Sequence, residues 1–287
     1  MENEKSPAEE DAPVLYSFAD GVATITLNRP TRLNAISHGP NSVQRTIIEM
    51  LTAADTDDAV GCVVITGAGR AFSSGGDVSS GTKLENGLDW YWFLLEEDVD
   101  NERIRELRKP VIGAINGICY GAAMMMAAHF DMLIASDDAR FGLIETRFGG
   151  TGAEALNYLI GPQWAKFMAL SGEMLDARKA KEIGLVIEVV PPAQLMAKAQ
   201  DLGRRIAAMP RDTMIMNRRL INTGMNLSGW TAQKQAGLAF NAVTNSCFKE
   251  HRAWNGERFV DLMQQDWKKY KEVRDAPFKQ SWFDVLP

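Results

Sequence analysis

Two glycine-rich loops carry the strongest chemical signal in this chain: Phe72-Ser73-Ser74-Gly75-Gly76-Asp77 and Asn116-Gly117-Ile118-Cys119-Tyr120-Gly121-Ala122-Ala123. Each follows a β-branched apolar run and leads toward a helical segment. Small residues let a ligand oxygen approach the main chain closely, and an N–H at a helix start carries the positive end of the helix dipole. Two such donors aimed at one point suit an oxyanion, such as the enolate of a thioester. Backbone donors move no proton, so an acid or base must face them. His38, His129 and His251 stand isolated in the sequence, and nothing near them makes a Ser-His-Asp arrangement.

The elements that must position these loops read as an α/β chain. Val14 to Ser17 and Val22 to Leu27 form a hairpin about Ala19-Asp20-Gly21, and Asn41 to Ala54 has helical spacing. Val60 to Thr66 is a buried-type strand, Leu88 to Leu107 an amphipathic helix closed by Lys109-Pro110, and Val111 to Ile115 the next strand. Gly121 to Phe130 reads as a helix of small residues and methionine, and Met132 to Ser136 as a strand. Strands alternating with helices indicate βαβ crossovers and a mainly parallel sheet. Beyond residue 192 the pattern turns helical, in Ala193 to Met209, Asp212 to Thr223 and Thr231 to Asn245. We therefore expect a disordered tail over 1–13, a core over 14–192, and over 193–287 a helical region that packs on a neighbouring subunit or folds back on its own core.

Composition narrows the function classes. The net charge is −6 and no basic stripe is present, which argues against nucleic acid as a partner. No apolar run reaches membrane-spanning length, and the polar, acidic start is unlike a signal peptide. Cys62, Cys119 and Cys247 are odd in number and scattered, which fits a reducing compartment and neither disulfides nor a metal site. The expectation is a cytoplasmic protein without a metal.

Taken in order, several marks resemble the crotonase superfamily, the enoyl-CoA hydratase/isomerase group, from Val14 to about Val260. They are Leu27-Asn28-Arg29-Pro30 with Leu33-Asn34-Ala35, Val64-Ile65-Thr66-Gly67 leading to Ser74-Gly75-Gly76-Asp77, Lys109-Pro110-Val111-Ile112 leading to Asn116-Gly117 and Gly121-Ala122-Ala123, Asp131, Phe141-Gly142 with Glu145, and Gly184-Leu185-Val186. The resemblance implies a crotonase-like spiral of ββα repeats with a C-terminal helical trimerisation region. It also implies a trimer or dimer of trimers, and an acyl-CoA substrate whose coenzyme A is no separate cofactor. The thioester oxygen would sit between the N–H groups of Gly76 and Ala122. Arg32, Asn34, Ala35, Ser74, Gly75, Asp77, Val78, Gly121 and Met125 would line the substrate, with Arg32 toward the nucleotide phosphates and Asp77 capping the turn after its loop.

Of the two glutamates that the family's hydratases use, the second matches Glu145 and the first falls on Met125, which exchanges no proton. A single base facing an oxyanion hole suits transfer of one proton along an allylic system, hence double-bond isomerisation, with weak hydration. From the residues alone, Glu145 could instead be solvated or paired with Arg140 or Arg147, and the methionines could be core filling. The turn Gly149 to Glu154 is shorter than is usual in the family. Glu154 is a spare carboxylate there, expected near the start of a helix from Ala155. The Trp90-Tyr91-Trp92-Phe93 cluster resembles hydroxycinnamoyl-CoA hydratase-lyases, but the stretch after Trp230 offers Ala236, Leu238 and Phe240 where those enzymes place a tyrosine. A carbon–carbon lyase or hydrolase of a cyclic or aromatic acyl-CoA is one alternative, and a non-catalytic acyl-CoA-binding homologue the other.

Overall fold

Among the described residues ten strands form two sheets, and from the third strand to the eighth the chain alternates between them, which sets the site. The computed structural model describes residues 12–39, 41–77 and 84–284. Val78, Ser79, Ser80 and most of the expected tail lie outside them. The strands are β1 (Val14–Ala19), β2 (Val22–Leu27), β3 (Cys62–Gly67), β4 (Ala71–Ser73), β5 (Val111–Ile115), β6 (Ile118–Tyr120), β7 (Met132–Ser136), β8 (Arg140–Gly142), β9 (Leu175–Asp176) and β10 (Glu188–Val190). One sheet has the order β1-β2-β3-β5-β7-β10, the other β4-β6-β8-β9. Pairing is parallel except between β1 and β2 and between β8 and β9. Each of the pairs β3–β4, β5–β6 and β7–β8 thus gives one strand to each sheet before a helix follows, which is the expected ββα repeat.

The helices are α1 (Val43–Thr56), α2 (Gly87–Glu106), α3 (Ala122–Ala127), α4 (Leu156–Ser171), α5 (Ala177–Glu182), α6 (Leu195–Ala207), α7 (Arg211–Leu227), α8 (Trp230–Ser246), α9 (Phe259–Gln265) and α10 (Trp267–Asp275). On β3, Val63 and Ile65 face one core with Ile47 and Leu51 of α1, while Cys62 and Val64 face another with Leu195 and Ala199 of α6. Burial on both faces explains why the strand reads as an unbroken apolar run. The hairpin turn is Asp20-Gly21, both with positive φ, as a two-residue connection with right-handed strand twist requires.

Two expectations change. The helix after the second loop stops at Ala127 instead of Phe130, and turns carry the chain on to β7. Helix α2 lacks the expected apolar stripe: besides Ile104 it buries Asn101, Asp100, which pairs with Arg45 of α1, and Arg105, which meets Asn222 and Asn226 of α7. The C-terminal region folds back on its own chain, α8 burying Trp230, Lys234 and Leu238 while Arg105 stacks on the Trp230 ring at 4.1 Å. Met216, Leu220, Ile221 and Leu227 of α7, with Phe240 and Val243 of α8, remain exposed.

Candidate active site

Strands β4, β6 and β8 run parallel, with one register shift between Ala71 and Ser73 of β4, and place Ser73 beside Cys119 and Tyr120 beside Gly142. Their C-terminal ends therefore lie side by side. From them emerge the first loop, the second loop and the short 3-10 helix Ile144–Phe148 that carries Glu145. Crevices at the carboxyl ends of parallel strands are where open α/β sheets bind ligands.

The first loop is held by its main chain. Ser74 N–H donates to Leu33 O, Ile36 N–H to Gly75 O at 2.9 Å, and Asp77 N–H to Ile36 O at 2.8 Å, making an isolated parallel bridge between Ile36 and Gly76. In such a bridge the residues flanking Gly76 make the bonds, and the Gly76 N–H points the opposite way. In the second loop Gly121 N–H donates to Gly142 O and Met125 N–H to Gly121 O. Among the described residues neither Gly76 N–H nor Ala122 N–H has a hydrogen-bond partner, whereas those of Gly75, Asp77 and Gly121 are paired; Ala122 is the first residue of α3. The loops touch directly: a methyl group at Gly75 (φ +94°) would lie 2.6 Å from Tyr120 O and 3.3 Å from Ala122 N. Two unpaired donors on adjoining loops are of the kind that suits an oxyanion.

Glu145 faces this site from the side of the second loop. Added methyl groups would meet its Oε2 at 3.0 Å from Gly121 (φ +53°), and its Oε1 at 3.0 Å from Gly152, the latter also 3.4 Å from Met125 Sδ. The carboxylate thus sits between the oxyanion loop and the short turn, next to Met125. Its Oε2 is closed to solvent and has no hydrogen-bond partner, although the residue as a whole is only half-buried. Burial pushes the carboxyl up to about 8; its own backbone N–H opposes this, and the Glu97 and Glu154 carboxylates add to it. Neither expected arginine neutralises it. Arg147 pairs with Asp275 at 3.0 Å and lies over the Phe278 ring, and Arg140 donates to Ala139 O.

Other residues singled out from the sequence are placed as follows. Asn34 is buried with its amide spent on the main chain: Oδ1 accepts from Arg29 N–H, and Nδ2 donates to Ala68 O and Ala71 O. Its side chain shapes the turn before the first loop instead of facing a substrate. Ala35 is buried and its carbonyl accepts from Arg29 Nη1. The Asp77 carboxylate lies 2.9 Å from Arg29 Nη2 and 3.9 Å from Arg32 Nη1, so an ion pair with Arg29 fixes its end of the loop. Arg32 lies exposed in a 3-10 turn.

Glu154 lies just before a helix start, as expected, and is also tied to α8. Helix α4 begins after it, and its carboxylate turns to Lys234 Nζ of α8 at 3.4 Å, which also lies 2.5 Å from Asp98 of α2. Thr151 N–H donates to Asn241 Oδ1 of α8, a second tie on the same short turn. Lys234 is buried; burial favours loss of its charge, but Glu154 and Asp98 hold its pKa above the ordinary lysine value. The network continues beneath the second loop. His129 contacts Met125 O at 2.7 Å and Glu102 at 3.3 Å, and Trp230 Nε1–H donates to Glu102 at 2.7 Å. Burial works against the Glu102 charge, yet His129, Trp230 and Arg105 hold it down at about 2. His38, Gln44 and Lys234 are not legible as site residues from the sequence: Gln44 is tied to Glu97 and Lys234 to Asp98 and Glu154, partners remote along the chain, and His38 gains its place only through Gln44.

A family model described as enoyl-CoA hydratase/isomerase matches residues 17–281. A probable mitochondrial enoyl-CoA hydratase of Dictyostelium discoideum is 31% identical over 279 residues, 92% of this chain and 97% of that protein. A 1,2-epoxyphenylacetyl-CoA isomerase of Escherichia coli (strain K12) is 32% identical over 217 residues, 73% of this chain and 82% of its own. The crystal structure of an enoyl-CoA hydratase/isomerase from Xanthobacter autotrophicus Py2 superposes with a TM-score of 0.85 and 30% identity, covering 94% of this chain and 99% of that one.

Proposed function

The chain belongs to the enoyl-CoA hydratase/isomerase family, and from that membership we propose that it shifts the double bond of an enoyl-CoA with Glu145 as its base. The observation that carries this reading is the Glu145 carboxylate, with an unpartnered oxygen beside the Gly121–Ala122 loop and a methionine at the neighbouring position 125. The thioester oxygen takes the Gly76 and Ala122 N–H groups. Glu145 removes a proton from C2 of a 3-enoyl thioester, the electron pair moves onto the carbonyl oxygen, and the resulting dienolate is held by the two donors. The same carboxyl returns the proton at C4. Each preorganised donor in such a hole contributes on the order of 10²–10³ in rate. No step needs a group at position 125.

An aromatic or cyclic acyl group is a second reading, supported by the rings near the site. His38 packs edge-on to Phe93 at 5.4 Å and Phe93 to Trp90 at 6.1 Å, and the Escherichia coli relative named above is a 1,2-epoxyphenylacetyl-CoA isomerase. The exposed apolar side chains of α7 and α8 support self-association as a trimer or dimer of trimers.

The test is the rise in absorbance of the conjugated thioester when the protein meets a 3-enoyl-CoA. A rise that disappears in Glu145→Gln supports the proposal. No rise with straight-chain or aromatic 3-enoyl-CoA, despite measurable acyl-CoA binding, overturns it.

A further inference from the structure

The oxyanion site has a second flank. A methyl group at Gly76 would lie 3.6 Å from His38 Nε2, so the imidazole stands beside the first donor as Glu145 stands beside the second. The tautomer of His38 follows from its partner. Gln44 is buried, and its Nε2 donates to Glu97 O at 3.1 Å, so its Oε1 is the atom that meets His38 Nδ1. An amide oxygen only accepts, hence Nδ1 carries a hydrogen, and in the neutral form of the ring the lone pair is at Nε2. Among the described residues Nε2 has no hydrogen-bond partner. The ring is braced by the edge contact with Phe93. An oriented, unoccupied acceptor beside an oxyanion donor and an apolar wall is suited to an O–H group of a ligand.

We propose that His38 is the second proton-handling group of this site, taking the place of the carboxylate missing at Met125, and that its Nε2 accepts the O–H of the oxygen at C3: water in the addition direction, the hydroxyl of a 3-hydroxyacyl thioester in the reverse. The proposal rests on the thioester occupying the Gly76–Ala122 hole. In hydration, the water oxygen bonds to C3 as its proton passes to Nε2. The C2=C3 electron pair moves to the thioester oxygen as enolate, and C2 then takes the proton of the Glu145 carboxylic acid. Water is added overall. The imidazolium and the carboxylate reset by exchanging one proton through solvent. Hydration then uses both flanks, whereas the allylic shift uses Glu145 alone.

The test separates this role from the site itself. In the non-turning Glu145→Gln protein, calorimetric binding of butyryl-CoA and 3-hydroxybutyryl-CoA is compared with and without His38→Ala. The expected result is a preference of about tenfold for the hydroxylated ligand, a single net hydrogen bond, that vanishes with His38→Ala while butyryl-CoA binding is kept. With active protein, His38→Ala lowers hydration of but-2-enoyl-CoA about 100-fold and leaves isomerisation of but-3-enoyl-CoA within about threefold. A hydroxyl preference that survives His38→Ala, or hydration and isomerisation falling together, overturns the role of His38 and leaves the Glu145 reading standing. Absence of binding of either thioester overturns both.

Discussion

Gly121 and Glu145 are in contact across the site: the space that a side chain at Gly121 would need is within 3.0 Å of Glu145 Oε2. Gly121 also holds φ +53°, a conformation that L-residues rarely adopt, and it directly precedes the Ala122 donor. Gly121→Ala is expected to displace both the carboxylate and the Ala122 N–H. Turnover of 3-enoyl-CoA should fall at least about 100-fold with the far-UV circular dichroism unchanged. Retention of a tenth of the activity would show that the contact does not govern catalysis.

The pH dependence of isomerisation follows from Glu145. A base with a pKa of about 8 is mostly protonated at neutral pH and gains activity as pH rises. For 3-enoyl-CoA, kcat/KM should climb through neutrality and level off above about pH 8. A profile flat from pH 6 to 9 would contradict burial as the force acting on this carboxyl.

The same burial affects stability, with a definite sign. Because the folded-state pKa of Glu145 lies above the free carboxyl value of 4.5, the proton-linked stabilisation is fully present below 4.5 and is lost as pH rises to about 8. The change is on the order of 1.4 kcal/mol per pH unit across that window. Glu145→Gln should therefore raise Tm relative to wild type by an amount that grows from pH 5.5 to pH 8 and then stays constant. An equal difference at pH 5.5 and pH 9, in scanning calorimetry, would rule this out.

Lys234 offers a separate test of the electrostatics. Its ammonium group is buried between Asp98 and Glu154. Lys234→Met leaves these carboxylates uncompensated, and Glu154 already disfavours the Glu145 charge. The alkaline rise of kcat/KM should move to higher pH, and unfolding by urea should show a loss of about 3–5 kcal/mol, the range for removing one partner of a buried pair. An unmoved pH midpoint would mean that Glu154 does not sense Lys234.

Self-association is tested by the α7 and α8 surface. Light scattering after size exclusion should give a multiple of the 31.7 kDa chain, reduced by the pair Leu220→Glu and Phe240→Glu. A monomeric wild-type protein at micromolar concentration would end that reading.

Much of the framework was legible in the chain itself. Val111–Ile115 and Met132–Ser136 read as strands because short β-branched runs bounded by breakers leave little choice, and the Asp20-Gly21 turn fixes its hairpin. Both loops and Glu145 were visible as motifs in order. What escaped depends on distant partners. The Asn34 side chain serves the turn at Ala68 and Ala71, and His38 gains its orientation from Gln44 and, through it, from Glu97. Helix α2 misled because its buried face is polar and matched to Lys234 and Trp230, more than 120 residues downstream. Local periodicity holds no record of such pairs.

The unpaired donors at Gly76 and Ala122 belong to the main chain. Any residue but proline at these two positions keeps its N–H. Under the proposed function the enolate's donors therefore survive most substitutions of Gly76 and Ala122 themselves, though not a distortion such as Gly121→Ala imposes. The groups that move protons have no such protection: one codon change removes Glu145 or His38, and another could restore a carboxylate at position 125. Under the proposed function, holding the intermediate is a property of the fold, and its fate is a property of a few side chains.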